Sequence, residues 1–355
     1  MRMHVVPLCL TTLLLSVPLS AQETAKRTFG QVFGKIFSEI DTTYIAENRY
    51  NLAFMLEQSF WGEHYRMKAR NREGEAQRIS FAPDLTPKIG FYFGWRWIFL
   101  GAAFNTSDLL GKNKDEVSKK EFVLNLYSSR FGIDLYYRKT GNDFHIQSYS
   151  NFDIPSSYVG EDFKGFQSTL KGLNVYWIFN NRKFSYPAAY SQSTNQRISC
   201  GSFMAGFSHS NHKIAFDYTQ LPTEMVEHMD ESLKFNNLEY SDYNLSFGYG
   251  YKWVFAKNCL MNLSLMPAIA YKKAKINGLP ANTASHWASW VNDLNFDMTT
   301  RAGITWNNSK YFVGATLYIN SYYYHRNDLI MSNSFGSLRI YAGFNFWKKR
   351  QYRAK

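Results

Sequence analysis

The sequence predicts an all-β fold: an antiparallel transmembrane β-barrel of fourteen strands, with twelve as the fallback count, preceded by a short N-terminal amphipathic helix. Three observations predict it. Apolar and polar residues alternate with period two in segment after segment, the pattern of strands with two unlike faces. No apolar stretch is long and uncharged enough to cross a bilayer as a helix; the aromatic-rich run Phe91–Phe104 is interrupted by Arg96 and by glycines. Aromatic residues make up 18% of the 355-residue chain, and Trp and Tyr crowd the ends of the alternating segments, as an interfacial belt requires.

In chain order, residues 1–21 read as a signal peptide. Arg2 supplies a positive start, Val5–Leu19 an apolar stretch, and Leu19–Ser20–Ala21 the small residues before a cut at Gln22. Residues 22–48 form an N-terminal helix, plug or periplasmic segment. Phe29, Val32, Phe33, Ile36, Phe37 and Ile40 recur at helical spacing, which predicts an amphipathic helix over Thr28–Ile40 that packs across the barrel mouth. The barrel occupies 49–347, and a basic tail, 348–355, follows as a solvated run of charge.

Within the barrel the alternation is explicit. Leu294, Phe296, Met298, Ala302, Ile304 and Trp306 interleave with Asn295, Asp297, Thr299, Arg301, Gly303 and Thr305. Leu245, Phe247, Tyr249, Tyr251, Trp253 and Phe255 interleave with Asn244, Ser246, Gly248, Gly250 and Lys252. A soluble sandwich would turn the apolar face inward and a membrane barrel outward. Segment length (roughly 9–14 residues), the aromatic ends and the alternation of tight and long connections favour the barrel. Tight turns are expected near 95–97, 129–132, 209–212, 256–258 and 307–309, and long loops at 61–86, 106–120, 220–240, 273–292 and 322–334, with an external hairpin at 65–83. The fourteen segments are 49–60, 87–95, 97–105, 121–129, 131–140, 143–152, 171–180, 196–208, 211–219, 241–255, 259–272, 293–306, 310–321 and 335–347. Their parity fails around 140–170, and dropping 143–152 and 196–208 gives the count of twelve.

If the apolar faces look outward, the alternate positions line the lumen. Glu57, Asp134, Asp217 and Asp297 are the acids there, and Lys88, Arg138, Lys213, Lys252, Arg301 and Arg339 the bases. Two readings follow: an anion-favouring channel, or an interior zipped shut by ion pairs. No nucleophile elbow, phosphate loop, dinucleotide fingerprint or paired-Cys zinc motif is present, so no catalytic residue, metal or cofactor is assigned. His209–Ser210–Asn211–His212 reads as a turn before a metal site, and Cys200 and Cys259 as small side chains rather than a bridge. The net charge of +12 is scattered along the chain, which argues against nucleic acid. The expected partner is outer-membrane lipid, with anionic head groups or glycans as the acidic contacts; oligomeric state is not legible.

The stretch Phe179 to Gly206, together with Asp41-Thr42-Thr43-Tyr44-Ile45 and Arg130-Phe131-Gly132-Ile133-Asp134-Leu135-Tyr136-Tyr137, resembles an exported β-barrel family of Gram-negative bacteria, domain of unknown function 4421. The resemblance covers most of the chain after the leader. It implies export to the outer membrane and a barrel, and it brings no activity or substrate. Phe184, Ser185, Gln196, Gly201 and Ser202 are thus motif residues without a role. The reading is a non-catalytic scaffold or pore; the alternative is a lipid- or glycan-modifying barrel enzyme with a His/Ser/Asp site at the outer rim.

Overall fold

The computed structural model describes residues 40–70, 76–95, 98–106, 120–141, 143–277, 294–326 and 329–353. The expected leader and, but for Ile40, the expected helix lie outside these residues, as do most of the loops at 106–120 and 273–292.

Among the described residues the chain is almost entirely extended. The strands are β1 (Ile45–Glu47), β2 (Tyr50–Arg70), β3 (Ala76–Pro83), β4 (Thr86–Trp95), β5 (Ile98–Asn105), β6 (Lys120–Tyr127), β7 (Phe131–Lys139), β8 (Phe144–Ser150), β9 (Asp162–Phe163) and β10 (Phe166–Ile178). They continue with β11 (Thr194–Gln196), β12 (Cys200–Phe216), β13 (Asn237–Ala256), β14 (Cys259–Asn277), β15 (Leu294–Asn307), β16 (Tyr311–Arg326) and β17 (Leu329–Lys348). Two short helices, α1 (Tyr186–Tyr190) and α2 (Thr223–Glu227), lie in connections.

One antiparallel sheet holds all but β1 and β11, which pair with each other. Twelve strands make its wall, in the order β6-β7-β10-β12-β13-β14-β15-β16-β17-β2-β4-β5. The inner part of β2, Leu52–Trp61, pairs with β4, while its outer part, Tyr65–Arg70, pairs with β3. There β3 leaves the wall to pair with β8, and β8 with β9. The wall curls until its edge strands β5 and β6 approach each other. No ladder joins them among the described residues, but Lys88 on β4 reaches across that seam to Glu121 on β6 at 2.6 Å.

The wall corrects the count of fourteen. Segment 143–152 is β8, outside the wall. Segments 196–208 and 211–219 are largely one strand, β12, and the turn expected at His209–His212 falls in its middle, with unbroken pairing to β13 from Cys200 to Ala215. The tight turns at 129–132, 256–258 and 307–309 are present, and positive φ at Asn258 and Ser309 marks two of them.

What resembles a turn at 209–212 is an inversion of polarity. Along β12 the outward face runs Phe203, Ala205, Phe207 and then His209, Asn211, Lys213. The buried face runs Ser202, Met204, Ser210, His212 and then Ile214, Phe216. β13 does the same. Tyr243, Leu245, Phe247, Tyr249, Tyr251 and Trp253 are exposed over Asp242, Asn244 and Lys252, whereas at its start Leu238 and Tyr240 are buried beneath Glu239. Through the inversion the alternation does not slip, with unbroken pairing of β12 to β13 from Cys200 to Ala215; a one-residue slip would turn every side chain to the other face. Phe296 (56% exposed) and Trp253 (51%) are on the outside, not in a core.

Above the inversion the interior is an apolar core. Tyr65, Met67, Ile79, Phe81, Phe144, Phe163, Phe166, Ile214, Phe216, Leu238 and Met331 pack there with Leu221, Met225 and Leu233 of the β12–β13 connection. This cap closes the long-loop end. Phe81 is its centre, with ring centroids 4.9 Å from Phe163, 5.5 Å from Phe166 and 5.7 Å from Phe216. Phe81→Ala is expected to cost the cap about 3–5 kcal/mol. Limited proteolysis should then cut within 140–165 or 217–236 while the wall strands stay intact.

Candidate functional site

The interior below the cap holds most of the charged residues singled out from the sequence, and it holds them in pairs. Arg339 on β17 donates through Nε to Glu57 on β2 at 2.8 Å, and its Nη2 makes a second bond to the same oxygen. Glu121 on β6 accepts from Lys88 at 2.6 Å and from Arg138 on β7 at 3.1 Å. The Arg138 guanidinium lies over the rings of Phe335 (4.4 Å) and Trp61 (5.3 Å). Arg301 on β15 crosses the interior to Asp134 on β7, and its Nη1 donates to the hydroxyls of Tyr127 (3.4 Å) and Tyr176 (3.3 Å). Lys272 on β14 meets Asp297 at 2.7 Å and Asp242 at 3.5 Å, all three buried. Asp297 also accepts from Asn244 and from the backbone N–H of Tyr323. A buried charge is costly unless paired, and each of these has a partner of opposite charge. The pairing is not saturated, because Arg138 Nε and Nη1, Arg301 Nε, Asp134 Oδ1 and Asp242 Oδ1 are buried with no hydrogen-bond partner among the described residues.

Lys252 is held differently. Its ammonium donates to Asn262 at 3.1 Å and faces the rings of Phe184, Tyr186 and Tyr190 at 4.8, 5.8 and 6.0 Å. Those rings belong to the β10–β12 connection, which folds back against the inner face of the curled wall at its short-turn end as a plug. Ser185 caps α1, accepting from the Ala188 N–H at 3.3 Å. Asn262 donates to the Tyr190 hydroxyl, and Gln192 donates to the Tyr341 hydroxyl at 2.8 Å while accepting from Thr305 and Asn307.

Three of the five motif residues, Phe184, Ser185 and Gln196, build this plug, and Gly201 and Ser202 begin the wall strand β12 that follows it. Phe184 is fully buried against Lys252. Gln196 accepts from the Ser185 N–H at 3.0 Å and donates to the carbonyls of Lys183 (2.7 Å) and Ile198 (3.0 Å), closing the segment on itself. Ser202 accepts from the Asn180 N–H at 2.9 Å and donates to the Phe203 carbonyl at 2.7 Å. At Gly201 a β-carbon would sit 1.8 Å from the Tyr249 hydroxyl oxygen, so the Tyr249 ring lies across the glycine and would have to swing away from any larger residue. A readable signal was present: Ser185 followed by Pro187 is a helix start in a stretch that otherwise lacks alternation. Sequence reasoning also missed Glu121, Asp242 and Lys272, whose partners lie on other strands.

Asp217 and Lys213 are not in the interior. Asp217 ends β12 beyond the inversion, where the Thr219 hydroxyl and Gln220 hold its carboxyl below the usual range. Lys213 is exposed and paired with Glu239 at 2.9 Å. Neither cysteine is bridged. The histidines divide their contacts. His212 is buried, 3.0 Å from the Ser210 hydroxyl and stacked on Tyr240. His145 in the cap lies 3.2 Å from Asp84 and 3.6 Å from Asp162. Hydroxyl and carboxylate contacts thus fall on different histidines. Between plug and cap a small polar cavity is lined by Tyr136, Asn174, Asn244, Asp297, Tyr318 and Asn320 among others.

Two substitutions separate pairing from packing. Asp134→Asn leaves Arg301 buried without its carboxylate and is expected to cost about 3–5 kcal/mol, whereas the double variant Asp134→Leu/Arg301→Met should recover most of that loss. Denaturant titration of the refolded protein measures both.

The outer membrane protease OmpT from Escherichia coli is similar over 86% of this chain and 100% of its own, at 8% identity and a TM-score of 0.37. The toluene transporter TodX from P. putida is similar over 84% of this chain and 91% of its own, at 8% identity and a TM-score of 0.22. OprG from Pseudomonas aeruginosa is similar over 85% and 99%, at 9% identity and a TM-score of 0.24. No curated protein matches in sequence. The family profile described as domain of unknown function (DUF4421) matches residues 39–346, and the chain belongs to that family.

Proposed function

We propose that this chain is an integral outer-membrane β-barrel whose lumen is closed at both ends, and that it serves as a non-catalytic scaffold rather than a pore. The observation that carries the reading is the inversion of polarity along unbroken strands. An outward face of Leu, Phe, Tyr and Trp over buried Asp, Asn, Lys and Arg suits hydrocarbon outside, where backbone groups must be satisfied by the ladder itself. The exchange of faces at one level of β12 and β13 suits emergence into water, where burying apolar side chains is again favourable. With short turns periplasmic, as in single-chain barrels, the plug lies at the periplasmic end and the cap outside.

The interior supports scaffold over channel. Arg301–Asp134 and the Tyr136–Tyr322 hydroxyl contact at 3.1 Å cross from one side of the wall to the other, and plug and cap close what remains. In planar bilayers the purified protein is expected to show no steady ion conductance. A stable conductance in the intact chain defeats the scaffold reading.

Membrane placement has its own test. Leu245, 70% exposed at the middle of the outward belt, replaced by Arg is expected to cost about 2–4 kcal/mol of folding into lipid. Glu239→Arg, on the same face of the same strand but beyond the inversion, should stay within about 1 kcal/mol. Urea titration of vesicle-folded protein reads the difference; equal costs would exclude the embedding.

A further inference from the structure

Ladder register lines the outward side chains of β6, β7, β10, β12 and β13 into rows. One row is Leu126, Ile133, Val175, Phe207 and Leu245. The next toward the cap is Leu124, Leu135, Leu173, His209 and Tyr243. Then come Phe122, Tyr137, Lys171, Asn211 and Ser241, and finally Lys120, Lys139, Thr169, Lys213 and Glu239. Successive rows are two residues, about 7 Å, apart along a strand. The surface thus passes from wholly apolar to cationic within about 20 Å.

The last step is not evenly charged. Lys213 is neutralised by Glu239. At the other end Lys120 and Lys139 stand directly opposite each other on β6 and β7, a like-charge pairing that a ladder disfavours. Lys171 is diagonal to Lys139, one pleat nearer the apolar rows. All three are exposed, and among the described residues none of them has a carboxylate partner. Three exposed cations on adjacent strands, with Phe122, Leu135 and Tyr137 exposed just below them, match an amphiphile carrying phosphate at the head and hydrocarbon beneath.

We propose that Lys120, Lys139 and Lys171 form a docking site for the phosphate groups of an outer-leaflet lipid, whose acyl chains lie on the aromatic and leucine rows below. This rests on the reading of the wall as embedded. The clustered lysines supply the charge attraction, and the apolar rows fix the depth at which the head group sits.

The test uses the full chain folded into phosphatidylcholine vesicles and titrated with a bis-phosphorylated glycolipid as probe. Relative to wild type, Lys120→Gln/Lys139→Gln/Lys171→Gln should bind the probe about a hundred-fold more weakly, and Lys139→Gln alone about fivefold. A control triple at the short-turn end, Lys257→Gln/Lys310→Gln/Lys348→Gln, should stay within about twofold, as expected of charges more than a Debye length away. Inorganic phosphate at millimolar concentration should not compete. Unchanged binding in the lysine triple, equal loss in the control, or full competition by inorganic phosphate overturns the proposal while leaving the embedding intact. A wild-type chain that does not float with the vesicles overturns the embedding and this proposal together.

Discussion

An unslipped antiparallel ladder is the constraint on which everything else depends. Because side chains alternate strictly, each strand has two faces and no freedom to exchange them residue by residue. From Cys200 to Ala215, β12 keeps one register against β13, and β13 keeps nearly one register against β14 with a single irregularity near Val254–Ala256. The chain can therefore respond to a change of surroundings only by changing which residues stand at odd and even positions. It does so at 208–214, where Phe207 gives way outside to His209 and Lys213, and Ser210 gives way inside to Ile214.

Ion pairing follows from the same constraint. Below the inversion the inward positions are committed to polar side chains, and closing the lumen removes water from them. Arg301, Lys272 and Arg339 each answer a carboxylate on another strand, so that leaving one charge alone would cost far more than the pair contributes. Glu121 takes this furthest. It joins cations from β4 and β7 beside the seam between β5 and β6, where no backbone ladder is present among the described residues. Such pairs are weak evidence of stability in themselves, because an apolar interior of similar volume packs as well, but removing one partner leaves an uncompensated buried charge.

The sequence made legible what depends on local periodicity. The outward aromatic rows, the tight turns at 256–258 and 307–309, and the inward placement of Glu57, Asp134, Lys252, Asp297 and Arg301 all follow from period two within one segment. What failed required a comparison between segments. His209–Ser210–Asn211–His212 carries turn residues, and only the neighbouring strands reveal that it is a strand changing environment. The same inversion misplaces Asp217, because Ile214 and Phe216, which the local pattern offers as an outward apolar face, are the buried face there. Segment 143–152 alternates like a wall strand yet pairs with β3, because apolar residues facing a cap core obey the same period as those on the outward face of the wall. The plug residues were quoted without a role since Gln196 acts through backbone atoms of its own loop, which no spacing rule exposes.

A closed interior also directs where function can be sought. Tyr186 and Tyr190 from the plug, Lys252 and Asn262 from the wall, and Arg301 with its tyrosines are interlocked, so opening one end would strand several buried polar groups at once. Opening of that kind is costly and cooperative, unlike the loosely held loops through which mobile gates work. The parts free to engage other molecules are consequently the outside of the wall, the cationic margin above its aromatic rows and the exposed polar surface of the cap. The interior, tied from strand to strand by its ion pairs and tyrosine contacts, fixes the spacing of those outer surfaces.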